Sequence, residues 1–307
     1  MQRNQKIGFI GLGAMGAGMA ASLVRAGCQV TGFDLRQAAL DELVAAGGRS
    51  AASPQAAAEG AGLLVLMVVS QAQVEDVLFG AAGAAAALPR GATVMLSSTV
   101  PSAYVRELGE RLAAQGLQLL DAPVSGGAVA AGKGELTIMA SGSAAAFAAA
   151  ETALAACAKQ VHRLGAAPGI GSTVKAVNQL LAGIHVVSAA EGMAFGVALG
   201  ADPKVLYEVI RGAAGGSWMF DNRVPHMLDD DYTPRSAVDI WVKDLGLVLD
   251  SARALKMPLP VAAAAYQVVM MAAAQGMGPI DDAGFVKVYE SFTGKRIADA
   301  REEEEHR

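Results

Sequence analysis

Gly8-Phe9-Ile10-Gly11-Leu12-Gly13-Ala14-Met15-Gly16 is the stretch that decides the fold of this 307-residue chain. The apolar run Lys6–Ile10 before the turn has strand length, and Met15–Ala26 after it reads as a helix. Between them the glycines stand at G-x-G-x-x-G spacing. Gly11 permits the tight turn, Gly13 lets a pyrophosphate approach the backbone, and Gly16 lets helix and strand pack closely. The helix start then offers N–H groups and a partial positive charge to phosphates. Gly11, Leu12, Gly13, Ala14, Met15 and Gly16 are therefore candidate cofactor contacts. A second strand, Gln29–Asp34, ends in an acid 18 residues after Gly16. A carboxylate there accepts hydrogen bonds from the adenosine ribose hydroxyls and repels a 2′-phosphate, which favours NAD over NADP. Arg36 could hold a 2′-phosphate and keeps NADP open. The plainer alternative is a glycine-rich turn with no ligand.

Beyond that unit the first half keeps alternating. Helices are expected at Ala38–Ala46, Val74–Phe79 and Tyr104–Ala114, and strands at Leu63–Val69, Thr93–Ser97, Leu117–Asp121 and Leu136–Ala140. Such alternation implies right-handed βαβ units and a parallel sheet covered on both faces. After about Pro168 the pattern changes: Gly171–Gly200 reads as one long, nearly all-round apolar helix. Pro203–Arg211, Arg235–Lys256 and Leu259–Gln275 are helical as well. The expected fold class is α/β, with a parallel-sheet domain at 1–168, a long connecting helix at 169–200 and an all-helical domain at 201–307.

Composition narrows the function. Hydrophobic residues make up 53% and charged residues 17%, which describes a globular chain. Mean hydropathy is +0.37, but Ala262–Ala274, among the richest apolar stretches, is alanine-rich and contains Gln267, and no stretch is expected to span a membrane. No signal-peptide pattern follows Met1–Gln5, and a cytoplasmic protein is expected. Net charge of −5 without a basic cluster argues against nucleic acid. Cys28 and Cys157 are too few for a disulfide framework, no His/Cys cluster has metal spacing, and Glu302–Glu305 reads as a solvated tail. His162, His185, His226 and His306 show no partner spacing.

Hydride chemistry on a hydroxyl needs a proton acceptor and a holder for the substrate's charge. Lys175, Asn178 and Gln179 stand at i, i+3 and i+4 on one face of an otherwise apolar helix. Packing there desolvates a lysine and favours its neutral, proton-accepting form; the bland alternative is a lysine that snorkels to the surface. Asp121-Ala122-Pro123-Val124-Ser125-Gly126-Gly127 follows a strand of the sheet, where small residues expose N–H groups able to bind a carboxylate, or form just a loop. Asp239 and Lys243 are spaced for a helix salt bridge. Ser97, Ser98 and Thr99 end another strand, where a hydroxyl could face the reactive end of a cofactor. Trp218, Phe220 and Trp241 could line a pocket or belong to the core.

Four motifs in order resemble the β-hydroxyacid dehydrogenase family, which includes 3-hydroxyisobutyrate dehydrogenase and tartronate semialdehyde reductase. They are Gly8 to Gly16, Asp121 to Gly127, Gly169-Ile170-Gly171-Ser172-Thr173-Val174-Lys175-Ala176-Val177-Asn178-Gln179, and Lys243-Asp244-Leu245, within a likeness from Lys6 to Ile297. The resemblance implies a Rossmann domain, NAD, and a small hydroxy acid as substrate. It implies Lys175 as catalytic acid–base, Asn178 as a substrate ligand, and Ser125, Gly126 and Gly127 as holders of the substrate carboxylate. Thr99 and Lys243 would contact the cofactor near the nicotinamide, Asp244 would lie close to the substrate, and Val68 and Val69 would touch the cofactor through the backbone. A helical domain used for dimer or tetramer formation is implied too. Two positions depart from the common pattern. Gln179 replaces a second asparagine, and Ser236 replaces a phenylalanine seven residues before Lys243, giving a more polar pocket. Val177 to Gly183, Ala213 to Phe220, Asn222 to His226 and Tyr232 to Asp239 resemble the branch that acts on L-threonate, a polyhydroxylated acid.

Overall fold

A computed structural model describes residues 4–299, so the expectations for Glu302–Glu305 and His306 lie outside the described residues. The chain divides into two compact units between Lys175 and Ala176.

The first unit is built on a six-stranded parallel sheet. In chain order it contains β1 (Lys6–Ile10), α1 (Ala14–Arg25), β2 (Gln29–Phe33), α2 (Gln37–Ala45), β3 (Arg49–Ser50), α3 (Pro54–Ala58), β4 (Leu63–Leu66), α4 (Gln71–Phe79), β5 (Thr93–Leu96), α5 (Ser102–Ala114) and β6 (Gln118–Asp121). The sheet runs β3-β2-β1-β4-β5-β6, so the strand order reverses between β1 and β4. Each central strand is buried on both faces, and alternate side chains go to different cores. Ile7, Phe9, Leu63, Val65, Met95 and Leu120 pack into one cluster with Met19, Leu23 and Phe147. Ile10, Leu64, Leu66, Val94, Leu96 and Leu119 pack into the other with Val74, Val105 and Leu108. Burial on both sides explains why these strands read as continuous apolar runs. Cys28 and Cys157 are both free and buried.

One expected strand is placed differently. Leu136–Ala140 does not join the parallel sheet. It forms β8 of a second, three-stranded sheet, antiparallel to β7 (Val124–Ser125) and parallel to β9 (Ala158–Arg163). The short helix α6 (Gly127–Lys133) that follows β7 ends in a left-handed Gly134 and returns the chain to it. A β7–α6–β8 link this short cannot make a parallel crossover. Helix α7 (Ala144–Cys157), absent from the sequence expectation, is largely alanine and shows little periodicity, though Ser143 caps its start.

Helix α8 (Ile170–Ala198) runs through the division. By length and composition it is apolar enough to cross a membrane, with an 18-residue window of mean hydropathy 1.5. This corrects the expectation that no stretch qualifies, which had weighed the wrong segment. Its residues Val186, Ala190, Met193 and Val197 belong to the core of the second unit, together with Val224, Met227, Leu245, Val269 and Phe285.

The rest of that unit is α9 (Pro203–Ile210), α10 (Trp218–Leu228), α11 (Val238–Ala254), α12 (Pro260–Ala274) and α13 (Val286–Thr293). Helix α10 was not expected, because Pro225 interrupts its pattern; Ser217 Oγ caps it by accepting from Phe220 N. Helix α11 starts at Val238 rather than near Arg235. The backbone N–H groups of Arg235 and Ser236 donate instead to the Asp281 carboxylate, at 2.8 and 3.3 Å.

Candidate active site

The glycine turn lies at the point where the strand order reverses. Gly11 adopts φ +92°, and a Cβ there would fall 2.4 Å from Met67 O. A Cβ on Gly16 would lie 1.9 Å from Gly11 O, so any side chain would push the helix off the turn. At Gly13 a Cβ would meet nothing within 4 Å. Gly13 is also the N-cap of α1 and brings no side chain to its first N–H groups. Open space beside uncapped N–H donors is what a pyrophosphate needs. Asp34 closes the far side: Oδ2 accepts from Leu12 N at 2.7 Å, and Oδ1 accepts from Arg36 N and Nε at 2.9 and 3.1 Å. Arg36 also donates to Leu12 O at 2.9 Å. Desolvation pushes the Asp34 carboxyl up, but the Arg36 and Leu12 hydrogen bonds and the guanidinium charge outweigh it and hold the group below the ordinary carboxylate range. These residues fit NAD.

The neighbouring strand ends are partly committed. Val68 N donates to Ser98 Oγ at 3.0 Å and Val69 N to Gln73 Oε1 at 2.8 Å, so neither N–H is open to a ligand. Thr99 is half-buried. Among the described residues, the buried Ser97 hydroxyl has no hydrogen-bond partner.

Asp121 does more than begin a loop. Its side chain is fully buried, and Oδ2 accepts from Gly169 N (2.9 Å) and Ser172 N (2.8 Å), while Oδ1 accepts from Ser172 Oγ (2.7 Å). Ser141 Oγ donates to Oδ2 at 3.3 Å and accepts from Gly171 N at 3.0 Å. Burial pushes the Asp121 carboxyl up, against the pull of these donors. One carboxylate thus ties the end of β6 to the start of α8, a single turn before Lys175. Gly171 is required there, since a Cβ would lie 2.3 Å from Met139 O. Sequence reading weighed this stretch for its N–H groups and missed the cap. Ser125, Gly126 and Gly127 follow, all half-buried, and both glycines have positive φ, +135° and +77°.

Lys175 is buried, with 7% of its surface exposed. Further along α8, Asn178 Nδ2 donates to Gln179 Oε1 at 2.9 Å, and Gln179 Nε2 donates to Asp244 Oδ2 at 2.6 Å. Lys243 Nζ lies 2.6 Å from Asp244 Oδ1. The structure therefore joins Asn178, Gln179, Asp244 and Lys243 in one polar chain, and gives Lys243 a partner the helix spacing had not suggested.

Ser236 belongs to a second network that sequence reading missed. Beside the backbone bonds above, Asp281 Oδ1 contacts His226 Nδ1 at 3.0 Å, and His226 Nε2 meets Arg235. Asp282 pairs with Arg223 and accepts from Trp241 Nε1 at 2.7 Å. Trp241 and Phe220 are buried, whereas Trp218 is 59% exposed. The signal was two adjacent acids, Asp281-Asp282, inside an apolar stretch. Among the described residues no cluster of His, Cys, Asp and Glu could hold a metal.

Such a sheet order meets such a turn in the dinucleotide-dependent oxidoreductases, and comparison with known proteins narrows the class. Residues 6–165 match the NAD-binding domain of 6-phosphogluconate dehydrogenase, and residues 169–289 match the NAD-binding domain of NADP-dependent 3-hydroxyisobutyrate dehydrogenase. L-threonate dehydrogenase of Cupriavidus necator is 55% identical, over 94% of this chain and 97% of that one. L-threonate dehydrogenase of Escherichia coli K12 is 49% identical, over 94% and 95%. A crystal structure described as 3-hydroxyisobutyrate dehydrogenase from Salmonella typhimurium superposes with a TM-score of 0.86 at 49% identity, covering 92% of this chain and 99% of that one. The chain belongs to the β-hydroxyacid dehydrogenase family and is an NAD-dependent oxidoreductase.

Proposed function

We propose that the protein oxidises L-threonate to its 2-oxo acid with NAD, using Lys175 as the general base. The observation that carries the mechanism is the buried amine one helical turn beyond the Asp121 cap, followed at i+3 and i+4 by Asn178 and Gln179. A short, capped lead-in gives Lys175 a set position, and position governs proton transfer. Relatives called L-threonate dehydrogenase, at 44–55% identity, support the substrate. So does Ser236, which stands where the family motif carries a phenylalanine and would make the pocket more polar. The alternative, 3-hydroxyisobutyrate, is favoured by the description of the Salmonella structure.

In this reading Gly11 to Gly16 hold the pyrophosphate and Asp34 the adenosine ribose. Val68 and Val69 contribute backbone carbonyls, and Thr99 and Lys243 lie near the nicotinamide. Bound NAD supplies the ring that accepts hydride. Ser125 Oγ and the N–H groups of Gly126 and Gly127 hold the substrate carboxylate, Asn178 binds a hydroxyl, and Asp244 keeps the amide chain in place. Lys175 accepts the proton of the reacting hydroxyl and returns it in the reverse direction.

The test is NADH formation with L-threonate, D-threonate, D-erythronate, 3-hydroxyisobutyrate, D-glycerate and 4-hydroxybutyrate. L-threonate is expected to react best, and Lys175→Ala to lower kcat about 100- to 10,000-fold. Preferential turnover of 3-hydroxyisobutyrate would remove L-threonate as the substrate. An active Lys175→Ala variant would remove Lys175 as the base.

A further inference from the structure

We infer that Gln179 is a specificity-determining residue: it orients the Asn178 amide so that an acceptor oxygen faces a substrate hydroxyl on the carbon beside the one oxidised. The inference rests on the reading above in which Asn178 binds substrate.

Hydrogen-bond direction along the chain is set from one end. Lys243 Nζ sits 2.6 Å from Asp244 Oδ1, and a cation has only donors to offer. With an ammonium on one oxygen, the Asp244 carboxylate presents its other oxygen as an acceptor. The Gln179 atom 2.6 Å from Asp244 Oδ2 must therefore be the amide nitrogen. Its other end, Oε1, is then an acceptor, and the Asn178 atom 2.9 Å away must be Nδ2. Amide orientation is usually ambiguous; here the carboxylate removes the ambiguity at both residues. Asn178 is left with its carbonyl oxygen and one N–H, and the side chain is half-buried. A fixed carbonyl acceptor suits a hydroxyl donor. It offers nothing to a methyl or methylene.

Length matters as much as direction. Gln179 is 7% exposed and reaches from α8 to Asp244 on α11. Asparagine, which many members of the family the motif resembles carry at this position, is one methylene shorter and ends before that contact. With the shorter side chain the Asn178 amide would be free to turn over and present N–H groups instead.

The test compares kcat/KM for L-threonate with that for 2,4-dihydroxybutanoate, which lacks the hydroxyl next to the reacting carbon. Wild-type protein, Gln179→Asn, Gln179→Glu and Asn178→Ala are each measured across a pH series. Gln179→Asn is expected to lower the preference for L-threonate about ten- to a hundredfold, through KM, because the amide acceptor is no longer held in place. The deoxy analogue should react much as with wild type. Gln179→Glu keeps the shape and, when protonated, still offers one donor to Asp244 and one acceptor to Asn178. Two carboxylates sharing a proton hold it to higher pH than one alone. Wild-type preference should therefore survive on the acid side in Gln179→Glu; as pH rises the ionised side chain loses its donor to Asp244 and is repelled by that carboxylate, so it leaves its place against Asn178 and the preference is lost, a signature that loss of packing would not produce. This variant also decides the matter if Gln179→Asn fails to fold. Wild-type preference in both Gln179 variants at every pH, with the preference lowered in Asn178→Ala, would overturn the role of Gln179 alone. An unchanged KM and preference in Asn178→Ala would overturn the substrate role of Asn178 and this inference with it. Preference of the wild-type protein for the deoxy analogue would overturn the inference directly.

Discussion

At Asp34 a single carboxylate shapes the glycine turn, through Leu12 N, and in the proposed reading also holds the adenosine ribose. Asp34→Ala removes that acceptor and frees the Arg36 guanidinium. NAD binding should weaken by about 1.5–3 kcal/mol, roughly ten- to a hundredfold in Kd, while NADP binding improves. Fluorescence titration with each reduced cofactor measures both. The pH dependence follows from the sign of the shift. With its folded pKa held below the ordinary value, the Asp34 carboxyl stays ionised from alkaline pH down through the usual carboxylate range. NAD affinity should show no Asp34 inflection above about pH 5. The sequence reading named Asp34 from its place at the end of a strand. It did not show that the same oxygens bind the turn, because a contact 22 residues apart leaves no local pattern.

Helix α8 is the element on which the proposed chemistry depends, and its start is fastened by one buried acid. Asp121→Asn keeps the shape of the side chain but can set an amide against the N–H groups of Gly169 and Ser172. The expected cost is about 1–3 kcal/mol of stability, with a further fall in kcat beyond what unfolding explains. Urea unfolding and turnover under conditions where the variant is fully folded separate the two. Ser172→Ala removes only the side-chain bond to Oδ1 and should cost less. The length of α8 was legible from its unbroken apolar run. Its anchor was not, since the partners come from β6, Ser141 and the helix itself. Strand β8 went astray for a related reason: its apolar alternation marks it as a strand, but which sheet takes it depends on the short α6 and the Gly134 turn before it.

On the scale of the whole molecule, the buried acids set the response to pH. For Asp281, desolvation raises the pKa, but the bonds from Arg235 N, His226 and Ala283 N and the charge of Arg223 win, and the folded value lies below the ordinary one. Its ionised form therefore stabilises the fold above the unfolded pKa, about 3.9, and that contribution is lost as pH falls through the lower folded value. Asp282 works in the opposite sense, because burial lifts its pKa despite Arg223 and Trp241. Asp281 by itself should hold the urea midpoint level from neutral pH to about pH 5 and lower it below about pH 4, while Asp282 and Asp121, whose pKa values burial raises, act against that fall. Asp281→Asn should lower the plateau and flatten the acid-side fall; an unchanged acid-side fall would assign the acid sensitivity elsewhere. What the sequence by itself determined were the features written into neighbouring residues: the glycine turn, the two-sided strands, the long helix, and the lysine with its amides at helical spacing. Only the tertiary structure decided which acid caps α8, where β8 pairs, how Asp281 holds Ser236, and which way the Asn178 amide points. The cap of α8 and the hold on Ser236 rest on buried carboxylates whose partners lie tens of residues away, the Asn178 amide is set through Gln179 by Asp244, 65 residues on from Gln179, and β8 pairs as its short link to β7 dictates.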